Sequence, residues 1–145
     1  MIEVVALKSE HIEALVSEPG NEHLSHYLVA DVLSALEIQP HSRTVLINGS
    51  PALCGGIIMS AAHRGEAWAI ISKKFRSQFI LIHRAVLKFL AECRVKRVEA
   101  AVDVDFESGH RWMDNLGFSL EAPVMRAFSP NGGDCSLYSR ITEDS

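Results

Sequence analysis

Four acidic side chains stand in or beside two predicted strands of this 145-residue sequence. Glu66 stands where one strand begins, and Glu99 lies within the next, at 98–104. Asp103 and Asp105 follow at its carboxyl end, where the two-residue period of a strand would place both on one face. Paired carboxylates raise each other's pKa, and a carboxylate in such a position suits general base catalysis. The alternative is that the two aspartates face solvent or cap the following helix.

A second candidate site is the basic segment 72–79 (SKKFRSQF), at the start of a long helix predicted over 75–94. A helix start offers unpaired N–H donors and a partial positive charge, which together attract anions. Lys73, Lys74 and Arg76 add three cationic side chains there. The alternative is a solvated basic helix start that binds no ligand.

The apolar pattern predicts the elements that position these residues. Strands at 44–47, 52–62 and 67–72 form an antiparallel meander, and Asn48-Gly49 makes the first hairpin turn. The helix at 75–94 crosses over to strand 98–104, so that strand should pair in parallel with its neighbour. Other predicted elements are a strand at 1–7, a helix before Pro19-Gly20, helices at 22–38 and 109–116, and strands at 119–128 and 136–141.

Small residues mark special backbone positions. Ser108 is expected to cap the helix at 109–116, and Gly117 to end that helix in a left-handed conformation. Gly55-Gly56, in the middle of a strand, indicates either a bulge or a close approach by another backbone segment. Both alternatives for the glycine pair stay open at this point.

The segment 96–118 reads KRVEAAVDVDFESGHRWMDNLGF, and its strand–helix–LGF–strand pattern resembles the C-terminal half of the GNAT acyltransferase fold. The order of predicted elements is similar to that fold over nearly the whole chain. The resemblance implies a single α/β (α+β) domain, residues 1–145, with a mixed, mostly antiparallel sheet of six to seven strands and helices on both faces. GNAT enzymes move an acetyl group from acetyl-CoA to an amine, so the resemblance implies an N-acetyltransferase with a CoA thioester and an amine acceptor as its partners.

The resemblance also implies where acetyl-CoA would bind. In the GNAT fold the strands that correspond to 67–72 and 98–104 separate toward one end, and free backbone groups there hold the pantetheine arm of CoA. The pyrophosphate lies on the start of the helix that follows. The implied acetyl-CoA residues are Ala69, Ile70, Ile71, Lys73, Lys74, Arg76, Ser77 and Gln78. The implied candidates for the base are Glu66, Glu99 and Asp103.

The sequence departs from the GNAT pattern at two places. The family's phosphate loop resembles Q/R-x-x-G-x-G/A, but Phe79 and Leu81 occupy its glycine positions, and no glycine lies between Gly65 and Gly109. The tyrosine that protonates the leaving thiolate, in a pattern like YxKxGF, corresponds here to Met113, which has no proton to give. Both departures favour the alternative of a GNAT-like protein that has lost catalysis.

One further resemblance supports that alternative. The segment GHRWMDNLGF is similar to a helix end in small GNAT-like proteins of tailed phages, which implies a virion-structural or binding role. On either interpretation we expect a cytoplasmic protein, bacterial or phage-encoded in the host cell. Exposed sheet edges near the C-terminus are compatible with a homodimer.

Composition argues against several other classes of protein. The net charge of −4 is unlike the basic surface of a nucleic-acid-binding protein. No apolar run reaches the roughly 18 residues of a membrane span, and the N-terminus lacks the pattern of a signal peptide. Three cysteines far apart and seven scattered histidines predict neither a disulfide framework nor a metal site.

Overall fold

The computed structural model describes residues 1–142, apart from the side chains of His26 and Tyr27. The strands are β1 (Ile2–Ala6), β2 (Arg43–Ile47), β3 (Ser50–Ala61), β4 (Arg64–Ile71), β5 (Arg97–Asp103), β6 (Ser119–Met125) and β7 (Cys135–Ile141). The α-helices are α1 (Ser9–Val16), α2 (Ala30–Ile38), α3 (Phe79–Glu92) and α4 (Glu107–Asn115). Two 3-10 helices span Glu22–Leu28 and Lys73–Gln78.

The seven strands form one sheet in the order β1-β2-β3-β4-β5-β7-β6. β1 with β2, β2 with β3, β5 with β7, and β6 with β7 pair antiparallel, whereas β4 and β5 pair in parallel. The parallel pair is the one whose strands are joined through α3, as a crossover connection requires. This mixed, mostly antiparallel sheet confirms the predicted fold class.

The chain divides into two compact units. The first, which we call the amino unit, combines Met1–Ile58 with Trp68–Glu92, and the second, the carboxyl unit, combines Met59–Ala67 with Cys93–Ser145. One buried cluster in the amino unit joins α1 and α2 to residues of β3 and β4. Its apolar side chains are Leu7, Ile12, Leu15, Val16, Leu33, Leu36, Cys54 and Ile70.

Two predicted turns are confirmed by their backbone angles. Asn48 and Gly49 both have positive φ, 51° and 81°, which closes the hairpin between β2 and β3. Gly117 follows α4 with φ at 87°, where its lack of a Cβ removes the strain of a left-handed residue.

Gly55 and Gly56 mark a close approach of backbone segments. A Cβ on Gly56 would overlap the carbonyl oxygen of His41 and lie 2.8 Å from the Cα of Ser42. A Cβ on Gly55 would lie 2.7 Å from the carbonyl oxygen of Trp68. The register irregularity between β2 and β3 lies elsewhere, between residues 45 and 46 of β2. Of the two alternatives for the glycine pair, the structure therefore favours the close approach.

Two helices differ from the prediction. The helix expected over 22–38 is broken at Val29, whose extended backbone (φ −70°, ψ 129°) separates the first 3-10 helix from α2. A β-branched side chain tolerates this conformation well, while the apolar spacing continues across the break. The long helix begins with the 3-10 turn Lys73–Gln78, in which Phe75 leaves helical geometry (φ −109°, ψ 26°).

The predicted N-cap of the short helix is wrong. α4 begins at Glu107, with Phe106 in the N-cap position, so Ser108 lies inside its first turn. Gly109 is buried there, and a Cβ on it would lie 2.6 Å from the Phe106 ring and 2.8 Å from a methyl group of Val102. The glycine thus permits close packing of α4 on β5, a requirement that capping preferences do not reveal.

All three cysteines are buried and unpaired. Burial raises the pKa of Cys54 to about 11, against a small opposing effect of its contact with Thr44. Among the described residues, no three His, Cys, Asp or Glu side chains come together to hold a metal ion. No helix within residues 1–142 is long and apolar enough to cross a membrane.

Candidate active site

The part of β4 in the amino unit lies beyond the ladder that joins this strand to β5. That ladder pairs residues 64–66 with residues 97–99, and Ala69, Ile70 and Ile71 follow it in the chain. The side chain of Ile70 is buried in the core, Ile71 is half-buried, and Ala69 is exposed. These residues can therefore offer a ligand their backbone N–H and C=O groups rather than chemically reactive side chains.

The turn after β4 is capped by a carboxylate that follows α1 in the chain. Glu18, only 8% exposed, accepts a hydrogen bond from Ser72 Oγ at 2.7 Å and one from the Lys73 backbone N–H at 3.2 Å. Ser72, 2% exposed, accepts a third from the Lys74 backbone N–H at 3.2 Å. Glu18 and Ser72 thus occupy the first two backbone donors of the turn, a contact that the sequence did not indicate.

The cationic side chains of the turn point outward. Lys73, Lys74, Arg76 and Ser77 are exposed or half-buried, as is Gln78. Lys73 Nζ donates to the carbonyl oxygen of Gly20 at 3.3 Å. Among the side chains that the structure describes, Lys74 and Arg76 form no ion pair. The turn therefore combines an accessible cationic surface with backbone donors that are already bonded.

Glu66 and Glu99 are register partners in the carboxyl unit. The parallel ladder of β4 on β5 runs from the Arg64–Arg97 pair to the Glu66–Glu99 pair and ends there. Opposed residues of paired strands project on the same side of the sheet, so the two carboxylates are neighbours. Although Glu66 is an exposed residue, protein atoms around its carboxyl group raise its pKa by desolvation, and the charge of Glu99 raises it further.

Glu99 belongs to an ion-pair network around Arg97. Arg97 donates to Glu99 at 2.8 Å and to both oxygens of Glu121 at 2.7 and 3.0 Å. Ser139 also donates to Glu121 through a short hydrogen bond. Arg97 and Glu99 are about one-quarter exposed (25% and 26%), and their ion pair lies beside Glu66.

Sequence reasoning missed Glu121 and Ser139. Glu121 lies in a bulge of β6, because the register on β7 skips between Leu120 and Ala122. A bulge turns a side chain away from the regular alternation, here toward Arg97. The two-residue period of a strand places Arg97 and Glu99 on the same face of β5. Their hydrogen-bonded link to Glu121 depends on the position of β7 between β5 and β6, which the sequence does not indicate.

This network should make the protein sensitive to acid. Hydrogen bonds from Arg97 and, to a lesser extent, Ser139 lower the pKa of Glu121 from 4.5 to about 2. A lowered pKa stabilises the fold above pH 4.5, and this contribution is lost as the pH falls from 4.5 toward 2. Thermal unfolding between about pH 5 and pH 2 should therefore show a weaker pH dependence for Glu121→Gln than for the wild type. The control is Glu107→Gln, at an exposed residue on α4, and it should show the same pH dependence of unfolding as the wild type. If Glu121→Gln also showed the wild-type pH dependence, the assigned role of Glu121 would be wrong.

Asp103 and Asp105 do not share a strand face. β5 ends at Asp103, which is exposed and accepts a weak hydrogen bond from Cys135 Sγ at 3.4 Å, while Asp105 lies in the following turn. Asp103 stands four residues beyond Glu99, which corresponds to about 13 Å along the strand. The structure thus brings Glu66 and Glu99 together and leaves Asp103 apart.

Met113 is buried in α4, at the position where the resemblance implies a proton-donating tyrosine. One turn earlier, His110 Nε2 lies 3.0 and 3.1 Å from the carbonyl oxygens of Asp103 and Val104, which it can bond only as a donor. His110 Nδ1 lies 2.7 Å from the hydroxyl oxygen of Tyr138, from which it accepts in the neutral ring. These bonds fasten α4 to β5 and β7.

Known proteins resemble this chain in structure but not in sequence. No family model matches the sequence, and no curated protein matches it. Ard1 from Thermoplasma volcanium is similar in structure, with a TM-score of 0.79 at 15% identity over 99% of both chains. An acetyltransferase of the GNAT family from Streptococcus pneumoniae has a TM-score of 0.67 at 12% identity, covering 97% of this chain and 99% of that one.

A third similar structure was determined with a ligand. RimL, a ribosomal α-N-protein acetyltransferase in complex with coenzyme A, has a TM-score of 0.70 at 16% identity, covering 99% of this chain and 96% of that one. At these low identities the likeness establishes the architecture alone. The chain therefore has the fold of the GNAT acetyltransferases.

Proposed function

We propose that this protein is an N-acyltransferase that moves an acetyl group from a thioester, such as acetyl-CoA, to an amine. The lone pair of the amine nitrogen attacks the thioester carbonyl carbon, a C–N bond forms and the C–S bond breaks. The proton lost by the amine goes to a base on the protein, and the departing thiolate takes up a proton from its surroundings. The fold supports this class of reaction, and the residues of β4 and β5 support the roles that follow.

The observation that carries the proposal is the short ladder between β4 and β5. It ends at the Glu66–Glu99 pair, whereas β4 itself extends to Ile71. A strand segment beyond such a ladder suits an extended, amide-containing ligand, which binds by backbone hydrogen bonds. A pantetheine arm has that chemistry, and Ala69, Ile70 and Ile71 would hold it.

Glu66 is the base that we favour among the three candidates. Its raised pKa brings it closer to neutral pH, where a general base is most effective. Glu99 is engaged by Arg97, and Asp103 stands apart at the end of β5. Glu99 then acts as a positioning residue, because its negative charge raises the pKa of Glu66.

The residues after β4 fit only part of coenzyme A. The segment of β4 beyond the ladder suits the pantetheine arm, and the exposed Lys74 and Arg76 suit phosphate groups by charge. The backbone donors that would hold a pyrophosphate do not fit it as well. The first two, the N–H groups of Lys73 and Lys74, already bond to Glu18 and Ser72. The fit therefore stops at the pantetheine arm, and the nucleotide part of the donor takes no part in the acetyl transfer itself.

The proposal predicts stabilisation by an acetyl thioester. A ligand at about 100 times its dissociation constant adds roughly 2.7 kcal/mol to the free energy of unfolding, which a thermal shift detects readily. Acetyl-CoA and the shorter acetyl-pantetheine should be measured in parallel, and free acetate provides the control. A midpoint that neither thioester moves at millimolar concentration would contradict the proposed activity.

A second candidate function is a GNAT-fold protein without catalysis, which binds a partner or serves in a phage particle. The buried Met113 favours this second function, because a methionine cannot protonate the departing thiolate as the usual tyrosine would. A thiolate released into water can also collect its proton there, so this observation alone does not decide. Thioester binding without amine acetylation would support the second candidate.

A further inference from the structure

We propose that Glu18 closes the start of the α3 segment to a diphosphate, so that this protein takes a pantetheine-type thioester without a nucleotide. The inference rests on the proposed acyltransferase function and names the class of its donor. The residues that carry it all belong to the amino unit: Glu18, Ser72, Lys73 and the turn that leads into α3.

Glu18 is itself an anion bound to the first donors of the turn. Its two oxygens take the Ser72 hydroxyl at 2.7 Å and the Lys73 N–H at 3.2 Å, and only 8% of the residue is exposed. A nearly buried carboxylate that lost these donors would carry a large desolvation cost. Displacement of Glu18 by a ligand phosphate is therefore unfavourable.

One donor further along the turn is also engaged. The Lys73–Gln78 turn is a 3-10 helix with a kink at Phe75, and at its end the N–H of Phe79 bonds to the carbonyl oxygen of Arg76. No glycine is present from Ser72 to the end of α3 to let the backbone open around an anion. The start of the helix thus has its first two donors occupied and lacks the glycines that let a backbone wrap closely around a pyrophosphate.

Charge repulsion acts at the two donors that Glu18 and Ser72 occupy. A diphosphate placed there would bring its negative charges toward the carboxylate of Glu18, and like charges in a partly desolvated place repel. The exposed Lys74 and Arg76 attract phosphate groups only from outside the turn, and Lys73 Nζ donates to the carbonyl oxygen of Gly20 at 3.3 Å. The backbone of β4 beyond Glu66 offers amide-binding groups that need no phosphate.

The test compares two donors that differ only in the nucleotide part. Calorimetric titration of the wild type should show that acetyl-CoA binds no more tightly than acetyl-pantetheine. Glu18→Gln keeps the size of the side chain but removes its charge and replaces one of its two acceptor oxygens by an NH2 donor. In this variant the dissociation constant for acetyl-CoA should fall by about tenfold or more, since a hydrogen-bonded charge is worth at least that factor. The constant for acetyl-pantetheine should stay unchanged.

Glu22→Gln is the matched control. Glu22 lies in the same corner of the unit, accepts from the Gly20 N–H at 3.3 Å and interacts with Lys73 by charge, but it accepts no hydrogen bond from Ser72, Lys73 or Lys74. Its variant should keep the wild-type preference between the two donors. An equal gain in acetyl-CoA affinity for Glu22→Gln would mean that net charge, not the Glu18 contact, sets the preference, and would overturn the inference.

The failure of the inference and that of the proposed function are distinguishable. Wild-type protein that binds acetyl-CoA more tightly than acetyl-pantetheine would overturn the inference and leave the acyltransferase assignment standing. If neither thioester binds to the wild type or to Glu18→Gln, the acyltransferase assignment fails, and the inference fails with it. The wild-type comparison decides even if Glu18→Gln does not fold.

Discussion

Replacement of Glu66 by glutamine should lower the rate of acetyl transfer by about 10²- to 10⁴-fold, the usual contribution of a general base. Glutamine keeps the size of the side chain but cannot accept the proton of the amine. The measurement is kcat with a saturating acetyl thioester and a reactive amine. Glu3→Gln, an exposed glutamate on β1, provides a control that should keep the wild-type rate. A Glu66→Gln protein with unchanged kcat would remove Glu66 from the chemistry.

The pH profile separates a base from a merely structural carboxylate. Because desolvation and the charge of Glu99 both raise the pKa of Glu66, the rate should fall on acidification through that raised value. Glu99→Gln removes the second cause, so the pKa of Glu66 drops and the acid limb of kcat/KM moves to lower pH. An acid limb that stays in place in Glu99→Gln would show that the two carboxylates are not coupled.

Gly56→Ala should be among the most destabilising single substitutions in the chain. The added methyl group would overlap the His41 carbonyl oxygen and lie 2.8 Å from the Cα of Ser42. Both are backbone atoms, so relief requires that β3 and the segment before β2 move apart. Overpacking of this kind costs about 1–3 kcal/mol or more, and we expect the upper end, which lowers the unfolding midpoint by roughly 10 °C.

Gly133→Ala is the matched control for this substitution. Its added methyl group would meet only side-chain atoms, the nearest being Oδ1 of Asn131 at 3.0 Å, in an exposed turn with room to adjust. Thermal unfolding should place this variant near the wild type. A Gly56→Ala protein with the same midpoint as Gly133→Ala would show that the close approach at β3 yields easily.

The sequence predicts most of the architecture because its signals are local. Asn48-Gly49 defines a hairpin by backbone preference alone, and Gly117 ends a helix for the same reason. The order of strands and helices, together with a crossover through α3, was sufficient to recognise the mixed sheet. The break at Val29 was not predicted, because the apolar residues keep their helical spacing on both sides of this single extended residue.

The candidate site depends on contacts that no local pattern encodes. Glu18 and Ser72 are separated by 54 residues, and they meet because the core of the amino unit joins α1 to the end of β4. Glu121 reaches Arg97 only through a bulge in β6 and the insertion of β7 between β5 and β6. By contrast, the Glu66–Glu99 neighbourhood follows from parallel pairing, which the crossover predicts once the register is known.

The buried cysteines can report local opening of the structure, because a labelling reagent reaches them only when the fold opens. Cys54 lies in the amino unit and Cys135 in the carboxyl unit, and an alkylating reagent reacts with a thiolate only after the surrounding structure exposes it. Burial raises the pKa of both thiols, which lowers their thiolate fraction while the surrounding structure is closed. Equal labelling rates at Cys54 and Cys135 would show that the amino and carboxyl units open in one cooperative step. Different rates would show that each unit opens by itself.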